Sequence, residues 1–253
     1  YAANGYGLRG LDKSVKVIFS SDVSIGGKIN LESSTVILDD GGHVRLARKY
    51  VKSLIEISPN SRVTIAANGI SVNGILTGDP GYVLVNKGLL EFDLTSDWVY
   101  PGAITGNGSV EKNGSGTLTL TGDNDYSGTT TINSGSIVLS KDVPSIPSGS
   151  IGGAGTLSIE PVSDSFTNTF STSGLNVVST LGGLMIGKST NTSSITLSDA
   201  ITITGSIKLY GGAVAINAPI TATDDTISIT TSTSLTDGAS GYLVASGLAL
   251  KGS

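Results

Sequence analysis

The chain has 253 residues, 35 of them Gly, with no Cys, one His, one Trp, one Met and a formal net charge of −5. An apolar fraction of 38 % with so little net charge excludes disorder, Gly without a three-residue period beside only 7 Pro excludes collagen, and the lack of Cys removes disulfides, thiol catalysis and Cys-based zinc sites. No run approaches the roughly 18 uninterrupted apolar residues of a spanning helix, and Arg45, Arg48, Lys49 and Lys52 form too small a basic footprint for nucleic acid.

In chain order, Tyr1 stands where an initiator Met is absent, so the chain reads as a processed or excised piece with any targeting signal outside it. Gly5-Tyr6-Gly7-Leu8-Arg9-Gly10 matches the spacing of a dinucleotide fingerprint, but no strand precedes it and no helical pattern follows. Short apolar alternations then recur at residues 15–19, 28–31, 35–38, 63–66, 74–77 and 82–85, closed by Gly, Asn, Asp or Ser. Alternation with period two is the signature of a strand with one buried face. Residues 43–57 admit a short helix through Leu46, Tyr50 and Leu54, but two strands joined at Lys49–Tyr50 fit their surroundings better. Asp39-Asp40 reads as a solvated corner and His43, the one imidazole, as a surface or edge residue.

The alternation continues at residues 89–94, 117–120, 130–139 and 156–159. Between the first two of these lie Asp97, Trp98 and Tyr100, the first place to look for a ligand contact: a sugar-stacking platform or partner anchor if exposed, a corner plug if buried. Asp123-Asn124-Asp125-Tyr126-Ser127-Gly128 has the opening spacing of a calcium loop. Ser134 stands where the bidentate Glu belongs, so only weak calcium binding by Asp123 and Asp125 is expected against the simpler reading of a solvated turn. The last third is the most regular. Strand centres fall near Ile195, Ile201, Ile207, Val214, Ile220 and Ile227, so every third strand recurs after about 19 or 20 residues. A fixed period of that length, with three strands per repeat, predicts an all-β fold: a right-handed parallel β-helix with inward ladders of Ile, Val and Leu. Gly and Asn serve its corners and Thr its outer faces. Asp224-Asp225, the other acidic pair, sits in such a corner.

Residues 106–140 carry a GTLTLTG core (Gly116–Gly122), an Asn-x-Tyr-x-Gly turn (Asn124, Tyr126, Gly128), a TTIN-x-G stretch (Thr130–Gly135) and a closing strand (Ile137–Leu139). This segment resembles the autotransporter-associated β-strand repeat, or passenger-associated transport repeat. Asp125 and Thr129 depart from the usual residues without breaking the scheme. The closing stretch, 194–253, resembles filamentous-haemagglutinin-type repeats more loosely. The resemblance implies a β-helical passenger exported to a bacterial surface, with a repeat tied to folding and secretion.

One β-helical domain is therefore expected over 1–253, with N-terminal coils in 1–105, the passenger repeat in 106–140 and regular coils in 141–253. The expected role is a segment of a surface-exposed or secreted protein, outer-membrane-attached or released, acting in adhesion or as a stalk. Its expected partner is a host or neighbouring-cell surface protein or glycan. No catalytic residue, metal, cofactor or nucleic acid is expected. Two alternatives remain open: a fibre or sheath subunit associating end to end through its solenoid edges, and a β-helical polysaccharide lyase or hydrolase.

Overall fold

The computed structural model describes residues 83–252 and, before them, the backbone of seven strands. These are Lys16–Phe19, Val23–Ser24, Ile29–Leu31, Thr35–Leu38, Val44–Arg45, Ile55–Ile57 and Arg62–Ala67. Gly5–Gly10, Asp39-Asp40, His43, residues 74–77 and the side chains of the basic cluster lie outside the described residues. All regular structure among the described residues is β-strand, and the strands pair in parallel as a β-solenoid. Val44–Arg45 and Ile55–Ile57 are extended, in keeping with two strands over 43–57. The chain divides into two compact units, Tyr1–Gly135 and Ser136–Ser253.

Among the described residues of the first unit, short strands stack on three faces. One face stacks Leu89–Leu94, Ser109–Asn113 and Thr130–Ile132, pairing Leu90 with Val110 and Val110 with Thr130. The second pairs Trp98–Tyr100 with Thr117–Leu120, and the third pairs Val83–Asn86 with Ala103–Thr105. Asn124 adds a further bridge to Ile104. Every one of these steps has the same length, the 20 positions that also separate Ser109 from Thr129 and Asn113 from Asn133. Alternate side chains face inward, so Leu84, Leu90, Phe92, Leu94, Ile104, Leu118 and Leu120 are buried. Each contributes about 1.5–3 kcal/mol of transfer free energy. The passenger motif has a packing reason at each position. Thr117–Leu120 is the GTLTLTG strand, Asn124 turns inward and donates its Nδ2 to the Gly122 carbonyl (2.8 Å), and Tyr126 turns inward to bond Thr130 Oγ1 (2.8 Å). Gly128 lies against the Gly108 carbonyl of the coil below, where a Cβ has no room.

The second unit is built on two long inward ladders, Ile137–Leu157–Leu184–Ile207–Ile227–Leu248 and Leu139–Ile159–Ile186–Leu209–Ile229–Leu250. Through Ile227 and Ile229 they are buried, while Leu248 and Leu250 are 55 % and 56 % exposed on the strand Tyr242–Gly252. The period read from the last third is the observed register: Ile195 pairs with Val214, Ile201 with Ile220 and Ile207 with Ile227. Strand length differs from the sequence reading. Ser206–Ile216 and Pro219–Asp237 run through the corners as continuous strands of 11 and 19 residues. Register shifts at Gly211/Ala213 and Ala222/Thr226 absorb each bend, since a bulge turns a strand without ending it. Coil length is not uniform either. The step from Leu157 to Leu184 spans 27 positions, as does that from Gly153 to Thr180. The next step, from Leu184 to Ile207, spans 23, as does that from Leu181 to Thr204.

Candidate functional site

The Asp97-Trp98-Tyr100 group divides between core and surface. Strand alternation sends Trp98 and Tyr100 inward and leaves Val99 exposed. Trp98 is half-buried and Tyr100 fully buried. With Phe92 they form a triangle of rings, centroids 5.9 Å (Phe92–Trp98), 5.9 Å (Trp98–Tyr100) and 6.1 Å (Phe92–Tyr100), all tilted or edge-on. The Tyr100 hydroxyl has no hydrogen-bond partner among the described residues, and burial drives its pKa far above the ordinary phenol value. Asp97 is exposed and accepts the Thr117 amide proton at Oδ1 (2.8 Å), tying two coils together. A ligand arriving here meets Asp97 and the rim of Trp98; the Tyr100 ring is inside.

Asp123 and Asp125 are exposed and Asn124 between them is buried, so this stretch is extended rather than looped. The two carboxylates share the outer face at every-other-residue spacing. Among the described residues no three His, Cys, Asp or Glu side chains gather into a metal-holding group. Asp224 occupies a corner with φ 62°, and Asp225 Oδ1 accepts the Thr226 amide (2.7 Å). That acidic pair serves the bend.

Sequence reasoning missed Lys112. It sits in the inward ladder between Phe92 and Ile132 and is fully buried. Its stem lies in the core and its ammonium caps a corner, donating to the carbonyls of Asn113 (2.7 Å), Gly114 (2.9 Å) and Ser134 (3.5 Å). Burial lowers its pKa, and the carboxylates of Asp93 and Asp97 partly restore it. The readable signal was parity: Lys112 is two residues from Val110 in an alternating strand and must share its face. Beside it runs an outer polar ladder in which Asn133 Nδ2 donates to Asn113 Oδ1 (2.9 Å) and Asn113 Nδ2 to Glu91 Oε1 (2.6 Å). We expect Lys112→Ala to cost about 2–5 kcal/mol, as a large buried side chain leaving a cavity, and Lys112→Met only about 1–3 kcal/mol, the share of the abandoned carbonyls. Urea midpoints of the two variants measure this, and equal losses would refute the division between stem and ammonium.

Sequence reasoning also passed over a groove of about 340 Å³ in the second unit. Phe166 and Phe170, stacked at 5.2 Å, line it together with Val143, Pro144 and Ile146. Asp142 stands at its rim. Ser163 donates to it through both amide and hydroxyl (2.7 Å each), and these bonds, helped by Lys188, hold its carboxyl below the usual carboxylate range.

Fold and repeat together define the class, a parallel β-solenoid that carries an autotransporter passenger repeat. Residues 110–139 match the passenger-associated transport repeat. The chain is 42 % identical over 60 residues, 23 % of its length, to the uncharacterized protein YuaQ of Escherichia coli (strain K12), of which it spans 4 %. It is 34 % identical over 91 residues, 32 % of its length, to the adhesin BmaC autotransporter of Brucella suis biovar 1 (strain 1330), of which it spans 3 %. The chain thus spans only a few per cent of the length of the curated relatives it matches. No solved structure matches it. Among the described residues no helix is long and apolar enough to cross a membrane.

Proposed function

We propose that this chain is a coil-stack segment of a bacterial passenger, surface-exposed or secreted, that acts in adhesion or as the stalk holding an adhesive surface away from the cell. The observation that carries the reading is the way the passenger repeat is built. Its coil repeats the register of the coil below, and Asn124, Tyr126 and Gly128 each serve stacking. A motif whose residues all serve the stack does its work by shape, and similarity to an autotransporter adhesin supports the same reading. The reading assigns the segment no catalytic step and no cofactor. Its partner is a surface protein or glycan of a host or neighbouring cell. Deleting residues 141–252 from the full-length protein, which leaves the passenger repeat in place, is expected to leave surface display intact while attachment of the expressing cells to a host-cell layer falls several-fold. Normal display with unchanged attachment would sink the adhesive role.

A further inference from the structure

The enlarged coil of the second unit leaves a gap in its ladder. The strand Phe170–Ser171 pairs on one side with Ile195–Leu197, where the Phe170 and Thr172 amides donate to the Ser194 and Thr196 carbonyls (2.9 and 3.0 Å). On its other side it is the end of its sheet. Backbone groups alternate along a strand, so the amide and carbonyl of Ser171 point to that open side. The segment that would pair there in a regular coil runs from Val143 to Pro147 and is not a strand. Pro144 and Pro147 have no amide proton to give to a ladder. The groove lies between these two segments. Val143, Pro144 and Ile146 from one segment and Phe166, Thr169, Phe170 and Ser171 from the other line it.

We propose that this groove is a peptide-docking site, in which an extended segment of a partner protein adds a strand to the Phe170–Ser171 edge and presents alternating apolar and basic side chains. Three observations select this occupant. An open strand edge is complementary to another extended backbone, the general mode of strand addition. The apolar walls take alternate side chains of that strand, and a volume of about 340 Å³ accommodates a short stretch of it. The one charged group lining the groove is the Asp142 carboxylate, which favours a Lys or Arg on the incoming strand. A sugar ring fits less well, because Phe166 and Phe170 are only 3 % and 5 % exposed and offer no open ring face for stacking. The inference rests on the adhesive reading and deepens it by giving the partner's chemistry.

The test uses the purified chain and a short fluorescein-labelled peptide of alternating Val and Lys, followed by anisotropy. Saturable binding is expected, with slower exchange of the Ser171 amide in the bound state and no binding by the peptide in which Glu replaces Lys. Val143→Arg, at a rim position 57 % exposed and so harmless to folding, should weaken binding about tenfold, as should Ser171→Pro, which removes the edge amide. If Ser171→Pro fails to fold, Val143→Arg and the amide exchange decide alone. No saturable binding, unchanged affinity in Val143→Arg, or an oligosaccharide binding where the peptide does not would each overturn the proposal. None of these results alters the outcome of the attachment experiment with the 141–252 deletion, so the two readings fail separately.

Discussion

Phe92→Ala is expected to destabilise the first unit by about 3–5 kcal/mol, the range for a large aromatic lost from a core that cannot collapse around the gap. Phe92 is fully buried, sits within 5.9 Å of the Trp98 ring and 6.1 Å of the Tyr100 ring, and underlies Lys112 in the ladder. Neither neighbour can move in to fill the void without leaving its own rung. The effect should also be visible locally. Trp98 is the one tryptophan of the chain, and losing its ring neighbour should expose it and shift its emission to longer wavelength. Val99→Ala, one residue along on the outer face at 54 % exposure, should stay within about 0.5 kcal/mol. Urea titration followed by Trp98 fluorescence compares the two, and similar losses would mean that the aromatic triangle does not hold the coil.

The second large effect is alkaline. Tyr126 is buried, with its pKa pushed up to about 12 by desolvation and only partly relieved by the bond to Thr130. Tyr100, also buried and with no partner for its hydroxyl among the described residues, is pushed up further. Below pH 10 both phenols keep their protons in the folded and the unfolded chain alike, so their contribution is fully present. Above pH 10 the unfolded chain releases these protons and the folded chain does not, so stability falls with rising pH at about 1.4 kcal/mol per unit for each tyrosine. From pH 10 to pH 12 that amounts to about 2.7 kcal/mol from Tyr126, with a like amount from Tyr100. Urea midpoints measured from pH 8 to pH 12 should decline steeply above pH 10. The double variant Tyr100→Phe, Tyr126→Phe should flatten that decline, and an unchanged slope would rule out the two phenols as its origin. The single variants differ at neutral pH. Tyr126→Phe should lose about 1 kcal/mol with its bond to Thr130, whereas Tyr100→Phe removes a buried unpaired hydroxyl and should cost nothing.

Much of this architecture was legible in the residues because a solenoid is written locally. The strands at 35–38, 89–94 and 117–120 fall where the apolar alternation places them. The period from Ile195 to Ile227 is the register itself, since each coil presents the same short pattern to the next. The passenger repeat was legible for the same reason: its Asn, Tyr and Gly positions are constraints of one coil, where Asn124 and Tyr126 are buried and Gly128 meets the coil below. Parity would also have placed Lys112 inward, but a charged residue reads as surface until the corner carbonyls that receive it are known, and those belong to residues up to 22 positions away.

The strand pattern, the parallel coil, the coil length where it is regular and the passenger repeat follow from the residues, because each depends on alternation and turn chemistry within a single coil. Tertiary structure alone decided which of the notable side chains meet solvent. It placed Tyr100 in the core, Asp97 outside and Asp123 and Asp125 apart from any cluster of metal-ligating groups among the described residues. It also decided that the coil between Leu157 and Leu184 is enlarged and opens a groove at Phe170. The physical reason is that an extra length of chain has no pattern of its own. Whether it bulges outward, packs flat or leaves a strand edge unpaired depends on the coil beneath it, where Pro144 and Pro147 supply no amide for the ladder.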